Sequence, residues 1–192
     1  YLLLGKKNFN KGFSYFDARL ETNEFKKRNK YHYNIIKNYN KQKEFENNKS
    51  ILVVREQGVG DEILLSSIYN DLIKNNLSKV KIECDKRLLE IFNRSFNKDI
   101  FYPFGHYSSS NKTLQQFDNI LYAGSLTKYF RNEENAFNIK PYIKTSEKLD
   151  KKFNSILNNF DDKKKIGISW KSVLNIFGDL KALKLNDFKK LY

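Results

Sequence analysis

Residues 51–62 read ILVVREQGVGDE, a run of four branched or leucine side chains that leads straight into a glycine-containing turn. A short, continuous apolar run bounded by a turn is the pattern of a strand buried on both faces, as in a parallel sheet. Gly58 and Gly60 stand where such a strand must reverse into a helix; glycine tolerates positive φ there and lets a ligand approach the backbone. A helical pattern follows, with Ile63, Leu64, Leu65, Ile68, Leu72 and Ile73 expected on its inward side. Strand, glycine turn and helix together form the opening unit of a Rossmann-like α/β domain.

What the turn lacks narrows its chemistry. A dinucleotide fingerprint needs a third glycine three residues after Gly60, where this chain has Ile63. A nucleotide-phosphate loop needs Lys-Ser/Thr after the glycine, where this chain has Asp61 and Glu62. An acidic pair at a helix start repels phosphate, so the turn is not read as a pyrophosphate cradle. The free amides of the helix start suit an anionic or hydroxyl-bearing ligand. Asp61 has two readings that can coexist. One is an N-cap that accepts a backbone N–H. The other is a general base, ionised at the carboxyl end of a parallel strand, where open α/β sheets bind ligands. Glu56 and Gln57 flank the turn and either orient Asp61 or a ligand, or stabilise the turn itself.

Beyond the turn, Val80–Cys84 predicts a second strand and Lys86–Asn93 a second helix. Asp99–Tyr102 and Phe117–Tyr122 predict two more strands, the last followed by Gly124 and a short helix over Leu126–Phe130. This alternation argues for βαβ crossovers and a mostly parallel sheet. Glu147–Phe160 reads as a helical connector carrying Leu149, Phe153, Ile156, Leu157 and Phe160; KKKIGISW, Lys163–Trp170, reads as a fresh strand. GDLKALKLNDFKKLY then runs from a loop into a helix. Upstream, Phe9, Phe13, Phe16 and Leu20 form a helical stripe, with Gly5 as a break between two helices.

The chain has 192 residues and a net charge of +14, from 36 Lys plus Arg against 22 Asp plus Glu. Such a balance raises nucleic acid or anionic membranes as partners. Here the basic residues are mostly lysines scattered among Asn, Ile, Phe and Tyr, the signature of an A+T-biased genome. The densest clusters, Lys26-Lys27-Arg28 and Lys163-Lys164-Lys165, are short and sit beside predicted helix ends, so nucleic acid is not the expected partner. Cys84 is the only cysteine, which excludes an internal disulfide or a cysteine-based metal site. At a strand end it fits as a small buried apolar residue. No apolar run reaches the length of a membrane span, and the lack of disulfides points to the cytoplasm. The chain opens on Tyr1, contains no methionine and stops at Tyr192 inside a helical pattern; these features read as an internal piece of a longer protein.

Four stretches carry a resemblance: VVREQGVGDEILLSSIYNDL, VKIECDKRLLEIF, the Gly124-Ser125-Leu126 segment and KIGISWKS. Together they resemble bacterial tetratricopeptide-repeat glycosyltransferases, which are similar in turn to the heptosyltransferases of glycosyltransferase family 9. LLLGKKNFNKGFSYFDARL looks like the last repeat of such an array. The resemblance implies a GT-B architecture: two Rossmann-like domains, the first for the acceptor and the second for the nucleotide-sugar donor, with the active site between them. On that reading residues 1–48 are a tetratricopeptide-like helical remnant and connection, and 49–145 the Rossmann-like acceptor-side domain. Residues 146–163 are a helical connector, and 164–192 the truncated start of the donor-binding domain.

The resemblance also implies roles. Asp61 is the base that deprotonates the acceptor hydroxyl, with Gln57, Gly58, Gly60 and His106 on the acceptor. Lys181 meets the donor phosphates, although the family more often has Arg-Ser where this chain has Lys181-Ala182. Lysine keeps the charge but loses the bidentate fork, and a solvated loop lysine is the competing reading. His106, in YPFGHYSSS, is otherwise an ordinary loop histidine; His32 has no constellation around it, and Trp170 is read as packing. Charge on the leaving diphosphate would be met by cationic groups and helix dipoles, with no metal and no cofactor. The implied partners are a nucleotide sugar, a glycan, lipid-linked glycan or protein acceptor, and proteins that bind the repeat array. The implied location is cytoplasmic, including the inner face of the membrane as a peripheral protein. By itself this stretch is expected to be inert, because it lacks most of a donor domain. The alternative is a non-catalytic repeat-containing scaffold with a degenerate Rossmann-like domain, which the missing arginine favours slightly.

Overall fold

The computed structural model describes residues 1–29, 33–34, 36, 49–75, 79–96, 98–137, 140–160, 163–168, 182–184 and 186–188. The chain divides into two compact units, Tyr1–Ser146 and Glu147–Tyr192.

The first unit opens with helices α1 (Leu2–Gly5), α2 (Phe9–Ser14) and α3 (Asn23–Arg28), with a 3-10 segment, Phe16–Glu21, between the last two. Asn8 caps α2 by accepting from Lys11 N–H, and Thr22 caps α3 by accepting from Phe25 N–H. The predicted aromatic stripe is therefore shared by two elements, since α2 ends before Phe16. A side chain at Gly12 would collide with Leu4, so glycine lets α1 and α2 close on each other.

Strand β1 (Ile51–Val54) leads to α4 (Val59–Ser66) and α5 (Tyr69–Asn75), and β2 (Val80–Cys84) leads to α6 (Leu89–Phe96). Strand β3 (Phe101–Pro103) is followed by α7 (Asn111–Leu114), and β4 (Asn119–Tyr122) by α8 (Thr127–Phe130). The sheet order is β3-β2-β1-β4 and every pairing is parallel, with Val53 opposite both Ile82 and Leu121. All four residues of β1 are fully buried, as the unbroken apolar run predicts.

Successive strand residues face opposite sides, and two separate cores form. Ile51 and Val53 pack with Ile68, Leu72 and Ile82, against an aromatic group of Tyr69, Phe92, Phe96 and Phe101. Leu52 and Val54 pack on the other face with Leu20, Phe25, Phe117 and Tyr122. The N-terminal helical segment thus covers one face of the sheet through Leu20 and Phe25.

The helix after the glycine turn differs from its predicted form. A turn at Ser67 and Ile68 splits it in two. Ile68, Leu72 and Ile73 are buried as expected, but Ile63 and Leu64 are exposed and Leu65 is only half-buried. The inward face of α4 carries Glu62 and Ser66 instead. Glu62 accepts from Asp85 N–H at 2.8 Å, while Ser66 donates to Ile63 C=O at 2.8 Å and meets the Tyr142 hydroxyl. These polar anchors, which apolar periodicity does not register, fix the rotation of α4.

The second unit begins with α9 (Glu147–Leu157) and a 3-10 turn, Asn158–Phe160. Of the strand predicted over Lys163–Trp170, residues 163–168 form no strand, and 169–170 lie outside the described residues. A strand exists only where a neighbour completes its hydrogen bonds, and the described residues of this unit include none; Ile166 is 71% exposed. His32, Trp170 and Lys181 also lie outside the described residues. Among the described residues, no helix is long and apolar enough to cross a membrane.

Candidate functional site

The strand order decides where a ligand can enter. From β1 the chain moves outward through β2 to β3, then returns to the opposite side of β1 as β4. The loops leaving the carboxyl ends of β1 and β4 therefore diverge, and such switch points are where open α/β sheets hold ligands. The loop after β1 is the glycine turn; the one after β4 is the 3-10 segment Ala123–Leu126.

Glu56 ties these two loops together and joins both to the N-terminal segment. Its carboxylate accepts from Gly124 N–H at 2.8 Å. It also accepts from Arg19, with Nη2 at 3.0 and 2.8 Å from its two oxygens and Nε at 3.2 Å. The remaining Arg19 donors go to Phe16 C=O at 3.0 Å, Asp17 at 2.9 Å and Ser125 Oγ at 3.3 Å. Burial pushes the Glu56 carboxyl up, against the opposing pull of the Arg19 charge and the Gly124 N–H. Partial burial also pushes Asp17 up, but hydrogen bonds from Lys128, Ser125 and Arg19 outweigh it and hold that carboxyl below its ordinary value. Of the two roles open to Glu56, these bonds are those of turn stabilisation. A side chain at Gly124 would strike the Glu56 carboxylate and the Arg19 guanidinium, which explains glycine there.

Arg55 braces the turn from the other side. It donates to Gln57 C=O at 2.6 Å and to Asp85 at 3.1 Å, and pairs with Glu62 at 2.8 Å. Burial raises the Glu62 carboxyl, opposed by the Asp85 N–H and the Arg55 charge. Asp85 is held well below the usual carboxylate range by the Arg87 side chain and backbone N–H.

Gly58, not Asp61, occupies the N-cap position, with extended backbone at φ −73°. Asp61 is the third helical residue, and its carboxylate accepts from Gly58 N–H at 3.3 Å, the back-bonding half of a capping box. It is otherwise exposed. The positive-φ rationale for the turn glycines is also corrected: among the described residues, the glycine with positive φ is Gly105, at 87°. A methyl group at Gly60 meets nothing within 4 Å, and one at Gly58 meets only Asp61 Oδ2 at 3.6 Å. Open space above the backbone remains as the reason for glycine.

A cavity of about 530 Å3 lies between the N-terminal segment and the turn, lined by Tyr15, Phe16, Arg19, Phe25, Glu56 and Gln57 among others. Gln57 thus links the cavity to the turn that carries Gly58, Gly60 and Asp61. His106 is elsewhere: it follows β3, two strands from β1 and so roughly 10 Å across the sheet. Its exposed ring stacks on Tyr102 with centroids 4.9 Å apart and meets Tyr107 edge-on at 4.6 Å. Sequence reasoning reads Tyr15 and Arg19 only as part of the repeat-like stretch and assigns no site role to them or to Arg55. Arg55 carries a signal, a lone charge ending a buried strand. Arg19 carries none, because it pairs with a residue 37 positions away.

Comparison with protein families, with curated proteins and with solved structures finds no match to this chain.

Proposed function

We propose that the turn from Arg55 to Asp61 is the acceptor side of a sugar-transfer cleft of the GT-B kind, with Asp61 as general base. The observation that carries this reading is an exposed carboxylate at the carboxyl end of β1, beside the β1/β4 switch point. It sits in a turn whose glycines the backbone geometry does not require. The bond from Gly58 N–H is long and occupies one of the two carboxylate oxygens, which leaves acceptor capacity for a hydroxyl proton. In the reaction the acceptor O–H proton passes to Asp61 while the oxygen forms a bond to the anomeric carbon of a nucleotide sugar. The bond from that carbon to the nucleoside diphosphate breaks, and the diphosphate leaves with the electron pair. The exposed Asp61 carboxylate disfavours a diphosphate at this turn, which leaves the donor to the opposing half of the cleft.

The test is Asp61→Asn in a protein that carries this chain together with a nucleotide-sugar-binding half. Transfer is expected to fall by roughly 10²- to 10⁴-fold with donor binding retained. Transfer within about tenfold of the parent would overturn the general-base role. Absence of nucleotide-sugar binding by the parent protein itself would favour a binding scaffold.

A further inference from the structure

The cavity beside the glycine turn is not itself lined by Asp61. Its floor is the Arg19–Glu56 pair, and all five N–H groups of Arg19 are already donated to protein acceptors. The remaining charged side chains of the lining, Glu24 and Glu56, are acidic. A phosphate or carboxylate entering here meets two carboxylates and a guanidinium with nothing left to donate. The cavity therefore disfavours an anionic ligand.

Two lining side chains are uncommitted. Tyr15 is 70% exposed and has no ring partner among the described residues. The Gln57 side-chain amide makes no hydrogen bond within the described residues, although its backbone carbonyl is held by Arg55. One offers a flat apolar face, the other two donors and an acceptor. A pyranose ring has the matching surfaces, an apolar C–H face and a rim of hydroxyls. The volume of about 530 Å3 lies in the usual range for small-molecule sites, and the place is a switch point, where such sites form.

We propose that this cavity binds a neutral saccharide, with one pyranose ring packed on Tyr15 and its hydroxyls bonded to Gln57. The inference builds on the reading of the turn as an acceptor side, and it names the acceptor class: an unphosphorylated sugar rather than a sugar phosphate or a peptide.

The experiment is a titration of the intact chain, without donor, by ligand-observed NMR. The probes are methyl β-glucopyranoside, methyl β-galactopyranoside and N-acetylglucosamine, with inorganic phosphate as competitor. At least one sugar is expected to saturate with a Kd of order millimolar, and Tyr15→Ala and Gln57→Ala are each expected to weaken it about tenfold. Phosphate in excess should leave the binding unchanged. Tyr15 is exposed and Gln57 half-buried, and circular dichroism with a urea midpoint checks that each variant folds. Failure of every sugar to saturate, displacement by phosphate, or binding unaltered in both variants overturns the proposal. The readout needs no turnover, so sugar binding and the base role of Asp61 fail independently of each other.

Discussion

The Arg19 guanidinium reaches both carboxylate oxygens of Glu56, at 2.8–3.2 Å, and so fastens the N-terminal helical segment to the end of β1. Both side chains are almost completely withdrawn from water, Arg19 at 10% exposure and Glu56 at 1%. Breaking one half of such a pair leaves the other charge buried and unmatched. Arg19→Ala is expected to cost about 3–5 kcal/mol of stability, read from urea denaturation. The double variant Arg19→Met, Glu56→Gln should cost less than the sum of its singles, because the neutral amide can still accept from Gly124 N–H.

Glycines near the switch point divide into two kinds. At Gly124 a methyl group meets the locked Glu56–Arg19 pair, and Gly124→Ala should destabilise by about 1–3 kcal/mol. At Gly60 the same methyl meets open space on a helical backbone, and Gly60→Ala should be neutral or stabilising by up to about 1 kcal/mol. If the space above Gly60 admits an acceptor, that second variant loses transfer while gaining stability. Thermal melts beside activity assays separate the two effects.

The carboxylates predict a stability profile with opposite slopes. Asp85, held low by Arg87, contributes stability above its unfolded pKa near 4 and loses it as the pH falls through the depressed folded value. Glu56 and Glu62 are raised by burial, so keeping them ionised opposes folding at neutral pH. That opposition fades as the pH falls through their raised values toward about 4.5. Stability should therefore pass through a mildly acidic maximum and drop below about pH 4, and Asp85→Asn should flatten the acidic limb. Urea midpoints across that range test both slopes.

Cys84 ends β2 with no solvent exposure, and burial pushes its thiol up to about 12. The thiolate is the reactive form, so the native protein should resist iodoacetamide at pH 8. Labelling should appear only with unfolding, its rate following the urea dependence of the unfolded population. Prompt labelling in native buffer would mean that the β2 end opens locally.

Much of the sheet is legible in the sequence. Ile51–Val54 and Val80–Cys84 match their expected bounds to the residue, the first as an unbroken apolar run and the second as Val80, Ile82 and Cys84 alternating with Lys81 and Glu83. Asp99–Tyr102 shifts to Phe101–Pro103, and Phe117–Tyr122 loses two residues at its start, where Asp118 instead binds Ser50. The inward faces expected for Ile63 and Leu64 fail because Glu62 and Ser66, polar in sequence, are the residues anchored inside. Residues 163–168 form no strand, and the described residues of their unit include no other strand to pair with them.

Neighbouring side chains and the backbone preferences of a few residues suffice for the parallel strand–turn–helix unit and for the acidic character of its turn. They also suffice to put Asp61 at the start of a helix that follows a buried strand. Two further features arise only once the chain has folded: Glu56 is spent on Arg19 and Gly124, and a cavity opens beside Gln57. The Glu56 bonds join residues 37 and 68 positions apart. Those partners meet only after the sheet has placed β4 beside β1, and no local periodicity encodes that adjacency.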